Sequence, residues 1–224
     1  MKKSVKLLSL FAMLAGFSTV AAAEGVFVGG SLDLQHSKIK NTLCDNDEGC
    51  SAKDGRLGIG LKTGYDFGQF RVYGAYQYNP KAKETHDETH NTPNFAQQVH
   101  EELQWQSHDI TVGADYTPSF TENFKGLVGG YMGYSHAKIT DKYHSSFTDS
   151  TGRTYTHEDS SSKGSNGFVY GLRLGGIYSF NQNNELEFGI KAEQAKYKKV
   201  DDGDWYFKNK ITNYGAFVGY NYKF

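Results

Sequence analysis

The last eleven residues, 214–224, restrict the fold more than any other stretch. Read alternately, Tyr214, Ala216, Val218, Tyr220, Tyr222 and Phe224 form one apolar, aromatic face, with Gly215, Phe217, Gly219, Asn221 and Lys223 opposite. A period of two over this length is a β-strand whose two sides meet different surroundings. The chain stops on Phe224, so this strand is expected to end the protein. A soluble β-sandwich and a closed barrel in a membrane both accept such a strand, and the rest of the chain must separate them.

At the other end, Lys2, Lys3 and Lys6 precede the apolar run 7–20, and Ala21, Ala22 and Ala23 follow. A basic start, an apolar stretch and small residues in that order make a secretory signal peptide over 1–23, leaving 24–224 as one mature domain. The run is shorter than the roughly 20 residues a spanning helix needs, which argues against an anchor. Cleavage lowers the basic residues from 24 to 21 against 25 acids, a formal charge of −4 that gives no sign of a nucleic-acid partner. No later stretch is apolar enough for a membrane helix, a finding that leaves barrels open because alternating strands average out in hydropathy. The two cysteines, Cys44 and Cys50, enclose only five residues. In an exported chain they are expected to form a disulfide, worth about 2 kcal/mol for so small a loop.

Eight alternating segments follow one another. Four are read at about 26–36, 55–67, 70–78 and 104–117, and a less regular fifth at about 124–138. A sixth runs through Phe168, Tyr170, Leu172, Leu174, Tyr178 and Phe180, a seventh through Leu186, Phe188, Ile190 and Ala192, and the terminal strand closes the series. In the fifth, Phe124, Val128, Met132 and Tyr134 share one face while Leu127 and Tyr131 fall on the other. The connections alternate long and short. Residues 37–54, 79–103 and 139–166 are predicted to be long polar loops, and 68–69, 118–123 and 181–184 tight turns. Aromatic residues gather toward both ends of the segments. Tyr65, Phe67, Phe70, Tyr116, Phe124, Tyr178, Phe180, Tyr222 and Phe224 lie near the short turns, and Tyr78, Tyr134, Phe168 and Tyr170 near the long connections.

Segregated long and short connections, an even strand number and two aromatic girdles are what a bacterial outer-membrane barrel requires. The chain resembles the small eight-stranded outer-membrane β-barrel family, which includes the OmpA transmembrane domain and OmpX. That resemblance implies an all-β fold, a closed antiparallel eight-stranded transmembrane barrel with short periplasmic turns and long extracellular loops. It implies insertion among outer-membrane lipid and lipopolysaccharide as a monomer, with handling by periplasmic chaperones and the barrel-assembly machinery. It also implies that Tyr220, Tyr222 and Phe224 are the assembly signal that this machinery reads.

The face opposite the lipid carries Arg56, Lys62, Asp66, Arg71, Asp109, Asp115, Arg173, Glu187, Lys191 and Glu193. Both signs occur in similar number, so a paired network is expected, since unpaired charge in a narrow lumen is costly. An eight-stranded barrel is only wide enough to be filled by side chains. Glycines on the same face, Gly58, Gly60, Gly171 and Gly175 among them, are expected to leave room for the long Arg and Lys side chains.

Three candidate sites for chemistry lie in the polar connections. His144 and Ser146, spaced as His-x-Ser across Ser145, could compose a hydrolytic trio with Glu158, but the residues that flank His and Ser in the lipid A deacylase barrels are absent, and a solvated loop is the plainer reading. His86 and His90, with His100, Glu84, Asp87 and Glu88, could gather round a metal, against the plainer reading of incidental surface histidines. Asp45 opens a run like a calcium loop, but its twelfth position is Arg56 where an EF-hand needs Glu. No catalytic residue, cofactor or metal site is therefore assigned. The expectation is a non-enzymatic surface protein, a plugged barrel anchoring extracellular loops whose partner the sequence does not name. A narrow channel for ions or small solutes is the alternative, and a lipid A-modifying enzyme a third.

Overall fold

The computed structural model describes residues 25–41, 51–92, 95–149, 151–197, 200–202, 205–207 and 209–224. The signal peptide and both cysteines lie outside these residues. The strands are β1 (Val26–Asn41), β2 (Ser51–Asp66), β3 (Phe70–Thr92), β4 (Phe95–Tyr116), β5 (Phe124–Asp149), β6 (Thr154–Ser179), β7 (Asn184–Tyr197), β8 (Val200–Asp202), β9 (Trp205–Phe207) and β10 (Asn209–Lys223). Eight of them close an antiparallel barrel in the order β1-β10-β7-β6-β5-β4-β3-β2, while β8 and β9 form a separate two-stranded ribbon.

The barrel closes with a fixed stagger. From Lys40 on β1 the ladder passes through Lys210, Lys196, Phe168, Tyr134, Ile110, Tyr76 and Leu61 and returns to β1 at Gly30, ten residues from its start. A stagger of that size goes with strands tilted about 40° from the barrel axis. Closure leaves no unpaired edge around the ring, which lets the backbone hydrogen bonds be satisfied away from water.

The outer surface inverts that of a soluble protein. Leu172 is 72% exposed, Leu34 67% and Val112 65%, whereas Asp66, Asp115, Glu187 and Arg71 inside are nearly inaccessible. On β5 the residues that obscured the alternation are now placed: Leu127 is buried in the lumen and Val128 faces out. Tyr131 follows Leu127 inward, since its hydroxyl reaches Glu193 at 2.7 Å.

Two of the short connections are tight turns. At 67–70 the amide of Phe67 donates to the carbonyl of Phe70 at 2.7 Å, and Gly68 takes φ +86°, as a two-residue hairpin turn requires. At 180–184, Asn181 Oδ1 accepts from the amides of Asn183 (3.0 Å) and Asn184 (2.9 Å). Aromatic pairs ring this end: Tyr65–Phe67, Phe70–Tyr116, Tyr178–Phe180 and Tyr222–Phe224, with centroids 4.6–5.3 Å apart. At the opposite end Tyr78 stacks on His108 and His36 packs against Tyr214.

The long connections differ from the loops expected over 79–103 and 139–166. Apart from 93–94 and 150–153, both stretches lie in strands, and β3, β4, β5 and β6 run on beyond the barrel as one four-stranded sheet. From residue 81 to Thr92, β3 adds about 40 Å of strand at about 3.4 Å per residue. Residues 37–41 and 51–54 of the first expected loop are likewise paired. Outside a bilayer both sides of a ribbon meet water. The polar sequence that reads as loop is then compatible with strand, because the ladder is held by backbone bonds.

Candidate functional site

Alternation along each strand sends every second side chain into the lumen, and the structure places all ten charges expected there on that side. They form layers. Nearest the short turns, Arg71 donates from Nη2 to Asp66 (2.7 Å) and to Glu185 (2.8 and 2.9 Å), and Lys223 reaches Asp66 at 2.9 Å. The guanidinium of Arg71 sits 5.5 Å from the centroid of Phe27. In the next layer Arg173 donates from Nε to Asp115 and from Nη1 to Glu187, each at 2.9 Å, and Lys62 meets Glu187 at 2.5 Å. Arg173 also lies over the ring of Tyr73 at 4.8 Å.

Further up, the network changes character. Lys191 stands 3.1 Å from Asp33, but Arg56, Asp109 and Glu193 are held largely by neutral partners. Arg56 donates to Asn213 at 2.8 Å, Asn213 and Tyr131 each donate to Glu193 at 2.7 Å, and Asn79 donates to Asp109 at 2.7 Å. Ser135 also donates to Asp109. The pairing of opposite charges expected from their numbers is thus largely replaced here by amides and hydroxyls.

The glycines serve a different purpose from the one expected. A side chain on Gly171 or Gly113 would meet the rings of Tyr131 and Tyr73, and one on Gly58 the amide of Gln77. They clear space for aromatic rings and an amide rather than for Arg and Lys stems. Between the layers lies a cavity of about 60 Å³, bordered by Asp33, Tyr73, Gln77 and Glu193 among others. That is enough space to hold water.

Above the charges sits an apolar core that the sequence reading missed. Trp105 is fully buried and packs with Ile39, Ala82, Ala137, Val169, Tyr197 and Ile211, and its indole donates to Ser37 Oγ at 2.9 Å. Leu103 and Ile139 lie against this cluster. The signal was present as inward alternation on polar segments, but small residues such as Ala82 and Ala137 gave it little hydrophobic weight.

On the protruding sheet, strand alternation divides the histidines and carboxylates between two faces. His86 and His90 lie on the face continuous with the lumen, both against Glu88 at 3.0 and 3.4 Å. These histidines hold the Glu88 carboxylate below its usual pKa, His86 more than His90. Asp87 and His100, 2.5 Å apart, lie on the outer face. The candidate metal set is therefore split, and no group of three or more metal-capable side chains occurs among the described residues.

His144 and Glu158 do meet, at 3.1 Å, on the same outer row as Asp87 and His100. Ser146 shares that face with both, so the three side chains imagined from sequence do lie on one side of the sheet, with the intervening Ser145 opposite. Lower on the sheet the Lys142 ammonium, 2.7 Å from Glu102, depresses that carboxylate's pKa. At the β5–β6 tip Asp149 accepts from the Thr151 hydroxyl at 2.6 Å, which lowers its pKa, while Gly152 takes φ +79°.

Tyr220 and Tyr222 face outward on β10, and Phe224 is 75% exposed. A family model, the outer membrane protein β-barrel domain, matches residues 9–224. The chain belongs to this family. Its strands cross a bacterial outer membrane.

Among solved structures, the attachment invasion locus protein Ail of Yersinia pestis is similar at 17% identity over 89% of this chain and 99% of its own, with a TM-score of 0.45. Neisserial surface protein A is 15% identical over 91% of this chain and 100% of its own, TM-score 0.42. The outer membrane protease OmpT of Escherichia coli is 12% identical over 92% and 99%, TM-score 0.36. No curated protein matches the sequence.

Proposed function

We propose that the protein is a non-enzymatic, closed barrel that anchors its extracellular sheet for contact with a partner outside the cell. The observation that carries this reading is the filled lumen: two layers of buried ion pairs lie beneath the Trp105 core. The part left to meet other molecules is the sheet of β3–β6.

Two measurements test it. Single-channel recording of the refolded mature protein in a planar bilayer is expected to give no steps, and stable, reproducible steps would refute the plugged anchor. Trp105→Ala, expected to remove about 3–5 kcal/mol of packing, should leave the barrel folded and raise its leak above that of the wild type. For the sheet, cells displaying the full chain should adhere to a host-cell layer more than cells displaying a barrel shortened to the ends of β3–β6 nearest the membrane.

A second reading, a narrow path for ions, is favoured by the cavity between the ion-pair layers and by a polar atom on its wall, Gln77 Nε2, that lacks a hydrogen-bond partner. Conductance decides between the two.

A further inference from the structure

On four adjoining strands the outward face changes abruptly where the apolar belt ends. Beyond Leu34 on β1 come His36, Lys38 and Lys40; beyond Leu57 on β2 come Gly55 and Lys53. On β7, Gln194 and Lys196 follow Ala192, and on β10, Thr212 and Lys210 lie beyond Tyr214. Cross-strand register then brings the lysines together. Lys40 is directly opposite Lys210, Lys210 is directly opposite Lys196, and Lys38 is directly opposite Lys53.

No described carboxylate shares the outward face of these four strands. Asp33, Glu185, Glu187 and Glu193 all point into the lumen, where they are already engaged. The acid-free cluster is not a general property of the surface, since Lys142 on the protruding sheet stands 2.7 Å from Glu102. Like charges directly opposite on a ladder, with Cβ atoms about 5 Å apart, destabilise it. Three in a row on β1, β10 and β7 are an arrangement that an anion relieves, and no described carboxylate of these strands supplies one, although Lys196 also lies 5.6 Å from the ring of Tyr170.

Position selects the anion. Lys38 lies four residues past Leu34, about 13 Å along a tilted strand. A flexible lysine stem lets the ammonium fold back to the headgroup layer while its methylenes cover apolar surface. Ammonium groups engage phosphate as compact point charges without demanding a planar geometry. We infer that Lys38, Lys40, Lys53, Lys196 and Lys210 form a docking surface for the phosphorylated saccharide headgroup of an outer-leaflet glycolipid. The lipid's acyl chains would then lie along the adjoining apolar belt at Leu34, Leu57 and Tyr214.

The test uses the refolded protein in phosphatidylcholine nanodiscs, titrated with diphosphoryl lipid A, monophosphoryl lipid A and inorganic pyrophosphate. Diphosphoryl lipid A should bind at least tenfold more tightly than the monophosphoryl form. The variant carrying K38Q, K40Q, K53Q, K196Q and K210Q should lose at least tenfold, while K83Q with K138Q, which removes two outward lysines elsewhere, should bind as the wild type does. Equal binding by the five-fold variant, or equal binding of the two lipids, overturns the proposal. Pyrophosphate binding as tight as lipid A would overturn the headgroup assignment.

Should the five-fold variant fail to fold, Lys210→Gln alone still decides. Removing the central charge should raise the temperature at which the folded gel band is lost in zwitterionic detergent, and lower it when diphosphoryl lipid A is present. A shift of the same sign in both conditions overturns the proposal.

Discussion

Arg173 illustrates how a single inward position depends on distant ones. Its guanidinium spans Asp115 on β4 and Glu187 on β7 and lies over the rings of Tyr73 and Phe217. Both carboxylates are almost fully inaccessible, so removing the cation leaves charge that water cannot reach. Arg173→Met is therefore expected to lower stability by about 3–5 kcal/mol. Combining it with Asp115→Asn should recover a good part of that loss, because the orphaned charge goes too. Urea unfolding in lipid vesicles measures both, and additive losses would count against the pairing. The period of two already put Arg173, Asp115 and Glu187 on one face. Their partnership was not legible, because Arg173 and Asp115 are 58 residues apart and register alone brings them level. Trp105 was illegible for another reason: it sits among glutamines and serines, which carry no hydrophobic pattern.

Among the elements, the β3–β6 extension has the least apolar packing and the most exposed ladder. Its pH response follows from the depressed carboxylates Glu88, Glu102 and Asp149. A carboxylate whose folded pKa lies below its unfolded one contributes stability above the unfolded value, about 4.3 for Glu. That contribution disappears as pH falls through the lower, folded value. Hydrogen exchange of the amides around residues 84–90 and 149–153 should therefore accelerate below about pH 4, after correction for intrinsic rates, while the barrel amides of β6 and β7 stay protected. Exchange that is flat across this range would remove these contacts from the account. The strands within the membrane were legible because lipid and lumen impose different chemistries on alternate residues. Beyond the membrane both faces meet water, the alternation disappears, and ladder and loop read alike.

For the whole molecule, the decisive property is closure with lipid outside and charge inside. Leu172, near the middle of the stretch of β6 that pairs with β7 and 72% exposed, tests this directly. Leu172→Arg should cost about 2–4 kcal/mol because the charge enters the hydrocarbon. Thr156→Arg, on the same strand beyond the membrane, should stay within about 0.5 kcal/mol of the wild type. Equal effects in unfolding from vesicles would mean that the membrane band is misplaced. By itself the sequence determined the strand number within the barrel, the sidedness of every strand but the fifth, the two aromatic girdles and the family. Each of these is a local periodicity enforced by two solvents. Only the tertiary structure decided the ten-residue stagger, the partners of the lumen charges, the Trp105 core, the protruding sheet and the opposed lysines at the rim. All five depend on which residues of different strands become neighbours. That is set by backbone pairing around a closed ring, which no single stretch of sequence contains.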